Sequence, residues 1–159
     1  MKVLAAADGL SCPVRMNHIR GLCPADLCLQ MSGWDPDLTG WSYAAPGSIL
    51  DLAGHRVLVA PEAGQLCQMA AAARDLGCDV LIRPGRYVAW CVELEGLLVV
   101  DPGSVRHSGN RMPPSCAFLD LVPGQGPLCT IHWLKAVPDG LESSFQTGVR
   151  QRGEGKPQA

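Results

Sequence analysis

Leu98-Val99-Val100-Asp101-Pro102-Gly103-Ser104-Val105 and, a few residues on, Pro114-Ser115-Cys116-Ala117-Phe118-Leu119-Asp120 decide how this chain is read. Each stretch carries an apolar run of strand length, and Pro102-Gly103-Ser104 is turn chemistry that reverses the chain between strands. Upstream, Glu95-Gly96 marks a tight hairpin joining Tyr87–Glu93 to Leu97–Val100. Downstream, Ser115–Leu121 and Leu128–Lys135 are separated by Gly and Pro turns, so this half of the chain reads as antiparallel.

The first half reads differently. Lys2–Ala7 is a short apolar run that stops at Asp8-Gly9, a buried strand followed by a loop, and Asp26–Met31 is a second strand. Gly33 to Gly47 holds two tryptophans, two prolines and three glycines, which is loop composition. Ser48–Leu52 reads as an edge strand and His55–Ala60 as a clearer one. Over Gly64–Leu76, Leu66, Met69, Ala70, Ala73 and Leu76 fall on one helical face, and Gly77 suits the C′ position. Asp79–Ile82 follows as a buried strand. A strand–helix–strand unit of this length predicts a parallel pair with a right-handed crossover. Beyond Asp139 the chain is polar and glycine-rich, so residues 1–138 are expected to form a single domain and 139–159 a structureless tail.

Composition narrows the classes of function. Of 159 residues, 47% are apolar and 18% charged, which fits one globular core and excludes disorder of the whole chain. Thirteen basic against fifteen acidic residues, a net charge of −2, argue against a general nucleic-acid binder or a polybasic membrane binder. No apolar run approaches the roughly 18 residues of a membrane span. Met1-Lys2-Val3-Leu4-Ala5-Ala6-Ala7 meets Asp8 too soon for a signal-peptide core, so the expected location is cytoplasmic. The eight cysteines contain no Cys-x-x-Cys pair, and most lie within apolar runs, as reduced thiols packed like small apolar groups do. Gly124-Gln125-Gly126 lacks the third glycine and the following helix of a dinucleotide fingerprint and reads as a hairpin loop. Nothing in the sequence places His18 beside Cys12 as the base that a nucleophilic thiol requires.

Taken in order, the motifs Met1-Lys2-Val3-Leu4 leading to Asp8, Asp26-Leu27-Cys28-Leu29, Gly54-His55-Arg56-Val57-Leu58-Val59, Gly77-Cys78-Asp79-Val80-Leu81-Ile82, Asp101-Pro102-Gly103-Ser104-Val105 and Pro114-Ser115-Cys116-Ala117-Phe118-Leu119-Asp120 make the chain resemble the calcineurin-like metallophosphoesterases. The similar branch is that of compact bacterial phosphodiesterases, which also contains the retromer subunit of the same fold. The resemblance spans roughly Met1 to Lys135. It implies an α/β fold, a sandwich of mixed β-sheets flanked by helices, here shortened in the first half. It also implies two-metal hydrolysis of phosphate esters, with two divalent cations such as manganese held by an Asp-x-His, a Gly-Asp, a Gly-Asn-His/Cys-Asp, a later His and a Gly-His-x-His.

This chain departs from that pattern at most positions. The first motif reads Asp8-Gly9-Leu10, and Gly-Asp falls at Ser32-Gly33, where Asp35 or Asp37 would substitute only if the loop bends back. The Gly-Asn-His/Cys-Asp segment is missing, the later His position reads Ala60-Pro61-Glu62-Ala63, and the last motif reads Arg83-Pro84-Gly85-Arg86-Tyr87. One carboxylate cannot hold a dinuclear centre, so no metal ligand set and no cofactor are expected. None of the four histidines falls on a family metal position, and His132, between Ile131 and Trp133 on a strand, has a structural role.

The expected remnant pocket comprises Asp8, Glu62, Arg83, Arg86, Asp101, Ser104 and His107. In it the guanidinium groups of Arg83 and Arg86 would pair with Asp8 and Glu62 in place of cations. Arg83, Arg86, Ser104 and His107 form an alternative, a phosphate-sized anion site helped by backbone N–H groups of the Asp101–Ser104 turn. The leading functional expectation is a degenerate phosphoesterase fold kept as a binding or scaffold module. A protein partner or a second copy would dock on it, with Trp34 and Trp41 as contact candidates. A hydrolase with an altered site and an anion-binding protein stay open as alternatives.

Overall fold

The computed structural model describes residues 1–10, 12–31, 33–61, 64–84, 88–106 and 113–134 together with the backbone of 145–152. In chain order the elements are β1 (Lys2–Ala6), α1 (Pro13–Leu22), β2 (Leu27–Gln30), β3 (Ser42–Tyr43), β4 (Ile49–Leu52), β5 (His55–Val59), α2 (Leu66–Asp75), β6 (Val80–Ile82), β7 (Trp90–Leu94), β8 (Leu97–Asp101), β9 (Ser115–Asp120), β10 (Leu128–Leu134) and β11 (Phe145–Arg152). They form two mixed sheets, one ordered β11-β10-β9-β1-β2-β3 and the other β4-β5-β6-β8-β7.

The unbroken apolar runs at β1 and β8 follow from burial on both faces. Val3 and Ala5 point between the sheets and join Val57, Val59, Val80, Ile82, Leu98 and Val100 in the central core. Leu4 and Ala6 point the other way, onto Met16 and Ile19 of α1. In the second sheet Leu58, Leu81, Leu97 and Val99 face Met69, Ala70 and Ala73 of α2. The layers therefore run helix, sheet, sheet, helix.

The expected β5–α2–β6 unit is present, with β5 and β6 parallel and β6 parallel to β8. Gly77 ends α2 at φ +70, and the Gly77 and Cys78 N–H groups donate to the Arg74 and Ala73 carbonyls, each at 2.8 Å, the paired bonds of a Schellman stop. The Glu95-Gly96 hairpin closes β7 onto β8 with positive φ at both residues, 50 and 79. β9 pairs antiparallel with both β1 and β10.

A buried polar contact ties the sheets together. His55, at the start of β5, sits with Nδ1 2.6 Å from Asp79 Oδ2 and Nε2 3.0 Å from the carbonyl of Val122, which follows β9 in the other sheet. The ring is thus held at both nitrogens, by a carboxylate of its own sheet and a carbonyl that follows a strand of the other.

Three segments differ from the sequence reading. Pro13–Leu22, to which the sequence reading assigned no element, is a helix with proline at its start and Met16 and Ile19 buried beneath it. Ser42–Tyr43 adds a two-residue strand beside β2 inside the expected loop. Phe145–Arg152, within the tail expected to lack structure, lies antiparallel to β10, because an edge strand recruits backbone hydrogen bonds whatever its side chains are.

Candidate functional site

The carboxyl ends of β1 and β2 in one sheet and of β5, β6 and β8 in the other converge at one end of the sandwich. The Ala60 N–H donates to Ile82 O and the Arg83 N–H to Val100 O, which sets the ends of β5, β6 and β8 side by side. The Val105 N–H donates to Ala7 O at 3.1 Å and brings the β8 loop onto the end of β1. This is the crevice in which the sequence-predicted residues were expected.

Four of them fall within the described residues. Asp8 is half-buried in the left-handed region, at φ +60, a conformation aspartate tolerates better than most residues. Asp101 closes β8, is 1% exposed, and accepts the Gly103 N–H at 2.9 Å through Oδ1. Ser104 is equally buried, and its Oγ accepts the Arg106 N–H at 3.1 Å. Arg83 is half-buried just past β6, and no hydrogen bond or ion pair among the described residues joins its guanidinium to Asp8. Glu62, Arg86 and His107 lie outside the described residues.

The turn itself is closely built. Gly103 has φ +71, and a Cβ there would run into Ser115 Oγ and stand 3.0 Å from Ala89 Cβ. Ser115 Oγ–H donates to Pro102 O at 2.9 Å and holds the turn against β9. The N–H groups of Gly103, Val105 and Arg106 are all engaged inside the protein. An anion nest needs several such groups pointing outward together.

The residue that sequence reasoning missed is Arg106. Its Nε donates to the carbonyl of Asp8 at 3.0 Å and its Nη2 to the carbonyl of Leu10. Arg15, from the first turn of α1, donates through Nη1 to the Val105 carbonyl at 2.9 Å. A guanidinium thus sits against the main chain of the loop after β1, on carbonyls rather than carboxylates. No motif marks this role, because backbone acceptors carry no side-chain signature.

The described residues do not fit a pair of divalent cations. No group of three His, Cys, Asp or Glu side chains among them is placed to hold a metal ion. The Asp101 carboxylate is buried and engaged by its own turn, and Asp35 Oδ1 accepts the Asp37 N–H at 2.9 Å in a local turn of its own. Leu10, where the family motif has histidine, carries its Cδ1 3.3 Å from where a Cβ on Gly33 would stand, so it leans over the loop after β2. Leu10 is 38% exposed, and two other large apolar side chains of the first half, Val14 in α1 and Trp34 in the loop after β2, are 68% and 70% exposed. Trp41 instead packs against the cluster beneath α1.

No protein-family model matches the sequence, and no curated protein does. Solved structures do match the fold. Vps29 of Chaetomium thermophilum superposes with a TM-score of 0.70 at 14% identity, covering 96% of this chain and 98% of that one. Wild-type Vps29 of Entamoeba histolytica complexed with zinc gives 0.66 at 15%, covering 96% and 99%. A predicted phosphoesterase of Streptococcus pneumoniae gives 0.64 at 9%, covering 92% and 96%. No helix among the described residues is long and apolar enough to cross a membrane. With both sheets, both flanking helices and the strand-end crevice in place, the chain has the metallophosphoesterase-like fold seen in Vps29 and the small phosphoesterases.

Proposed function

We propose that this chain is a phosphoesterase-fold protein that has given up two-metal hydrolysis and acts as a protein-binding or scaffold module. One observation carries the reading. In the loop after β1, where the family motif has a metal-binding histidine, the chain presents Leu10 to solvent and holds the carbonyls of Asp8 and Leu10 with its own Arg106, while Val14 in the following helix and Trp34 in the loop after β2 are exposed as well. Solvent-facing aromatic and aliphatic side chains are what an interface core draws on. The resemblance to the branch containing a retromer subunit points the same way. The N–H groups engaged within the β8 loop weigh against the anion-binding alternative. None of the eight cysteines is in a disulfide, which fits a reducing, cytoplasmic setting.

Purified full-length protein assayed with a bis-aryl phosphodiester and added manganese, alongside elemental analysis, is expected to show no turnover above buffer and well under one equivalent of metal. Turnover with about two equivalents bound would overturn the proposal. In affinity capture, Val14→Ser and Trp34→Ser are each expected to lose the partner proteins retained by wild type. Leu76→Ser, a change at an apolar residue following α2, is expected to keep them. Loss in all three variants alike, or in none, refutes the crevice as the docking surface.

A further inference from the structure

The two sheets meet closely along one seam. β7 and β10 belong to different sheets, yet they bring Cα atoms within 8 Å of each other. Face-to-face sheets elsewhere stand about 10 Å apart, too far for a covalent bridge between side chains. At this seam β7 turns Cys91 inward, the one fully buried residue of that strand, and β10 turns Cys129 inward. They are 5% and 0% exposed and share the central core. The two side chains are close enough to interact, Cys91 being the first cause of an upward shift of the Cys129 thiol. Of the eight cysteines, Cys67 is exposed on α2, while Cys23, Cys28 and Cys116 lie on the α1 side of the first sheet.

We propose that Cys91 and Cys129 are a latent redox pair that closes to an intramolecular, inter-sheet disulfide under a peroxide oxidant. In the first step the sulfur of one cysteine, as thiolate, attacks a peroxide oxygen. The O–O bond breaks, water leaves after protonation, and a sulfenic acid forms. In the second step the neighbouring thiol gives up its proton and attacks that sulfur, expelling a second water and forming the S–S bond. The two thiols lose two electrons and two protons, and one hydrogen peroxide becomes two waters. The hydrogen bond to Cys91 and burial push the Cys129 thiol well above the ordinary cysteine range. Thiolate is therefore scarce in the closed protein, and the bridge forms slowly, under sustained oxidant. Once made, it staples the two sheets across a loop of roughly 40 residues.

The test uses the full chain carrying Cys67→Ser, which removes the exposed thiol as a source of links between molecules. After incubation with hydrogen peroxide, remaining thiols are alkylated under denaturing conditions and the protein is digested without reductant. Mass spectrometry is expected to find a Cys91–Cys129 linked peptide that dithiothreitol releases. The melting midpoint is expected to rise by roughly 10 °C and to fall back on reduction. Cys129→Ala is expected to abolish both changes. Should that variant fail to fold, the peptide map of the parent protein still decides. Recovery of Cys91 and Cys129 as alkylated or singly oxidised peptides, or links confined to other cysteines such as Cys23–Cys28, overturns the proposal.

Discussion

Replacing Asp79 with alanine tests the tie that holds the sheets together. Asp79 accepts from His55 Nδ1 at 2.6 Å and from the Arg56 N–H at 2.8 Å, both on a largely buried carboxylate. A hydrogen bond to a charged group contributes about 1.5–3 kcal/mol, so removing two predicts a loss of about 3–5 kcal/mol, the range found when one partner of a buried ion pair is deleted. Part of that loss falls on His55, left 4% exposed with its Nδ1 facing no carboxylate while Nε2 stays on Val122. Asp79→Asn should be milder, by about half, because a neutral imidazole can accept from the new amide and still donate to Val122. The assay is urea denaturation of wild type, Asp79→Ala, His55→Ala and the double variant, with the slope checked for constancy. The double variant should be more stable than the sum of the single losses predicts, by about 1–3 kcal/mol. An Asp79→Ala variant within 1 kcal/mol of wild type, or strict additivity, would refute the reasoning.

Three further outcomes are expected. Gly103→Ala places a methyl group against Ser115 Oγ and Ala89 at φ +71, and should cost about 2–5 kcal/mol from left-handed strain plus overpacking; a loss below 1 kcal/mol in the same denaturation assay contradicts the geometry of the turn. Ala53, at φ 50 in the two-residue turn between β4 and β5, precedes Gly54 at φ 81, so Ala53→Asn should raise stability by about 0.5–1 kcal/mol, and no rise in melting midpoint counts against a primed turn there. Burial holds the His132 imidazole below the ordinary histidine value of 6.5, so the unfolded chain takes up a proton at higher pH than the folded one. The histidine's effect is then absent above that value and turns destabilising as the pH falls below it. His132→Phe keeps the edge-on ring contact with Phe118 and should shrink the drop in melting midpoint between pH 7.5 and pH 5.5 relative to wild type; equal drops refute the assignment.

Much of the architecture was legible because local signals agreed with burial. Leu66, Met69, Ala70 and Ala73 mark α2, Gly77 stops it, and the runs at β1 and β8 are apolar throughout because helices and the opposite sheet cover both faces. α1 escaped notice for equally physical reasons. Its buried positions, Met16 and Ile19, are few, Val14 points outward, and Asn17, His18 and Gly21 lower helix propensity. Only Pro13, in the first turn, was a usable start signal. β11 offered even less, since Phe-Gln-Thr-Gly-Val-Arg-Gln-Arg has no regular alternation and its order comes from the edge of β10.

The crevice divides along the same line between side-chain and main-chain signals. Asp8, Asp101 and Ser104 could be placed from the order of strands and turns, because strand-end positions follow from topology. Arg106 could not, since what it recognises is a pair of carbonyls 98 and 96 residues away in sequence. That contact also bears on how the strand-end loops of such a fold are held in place. The central core and the two helix-facing clusters draw on strand interiors, and none of them includes Asp8, Asp101 or Ser104. At the strand ends Asp8 is half-buried, whereas Asp101 and Ser104 are buried and bonded within the β8 turn. The loops that carry them still need their main-chain oxygens satisfied and their paths fixed. A guanidinium meets both needs with fixed, forked donors that cannot lose their charge at physiological pH. With the loop after β1 pinned to the β8 turn in this way, Leu10 stays exposed without collapsing into the crevice. On the proposed reading, a leucine held exposed there would serve a protein partner where a histidine would serve a metal ion.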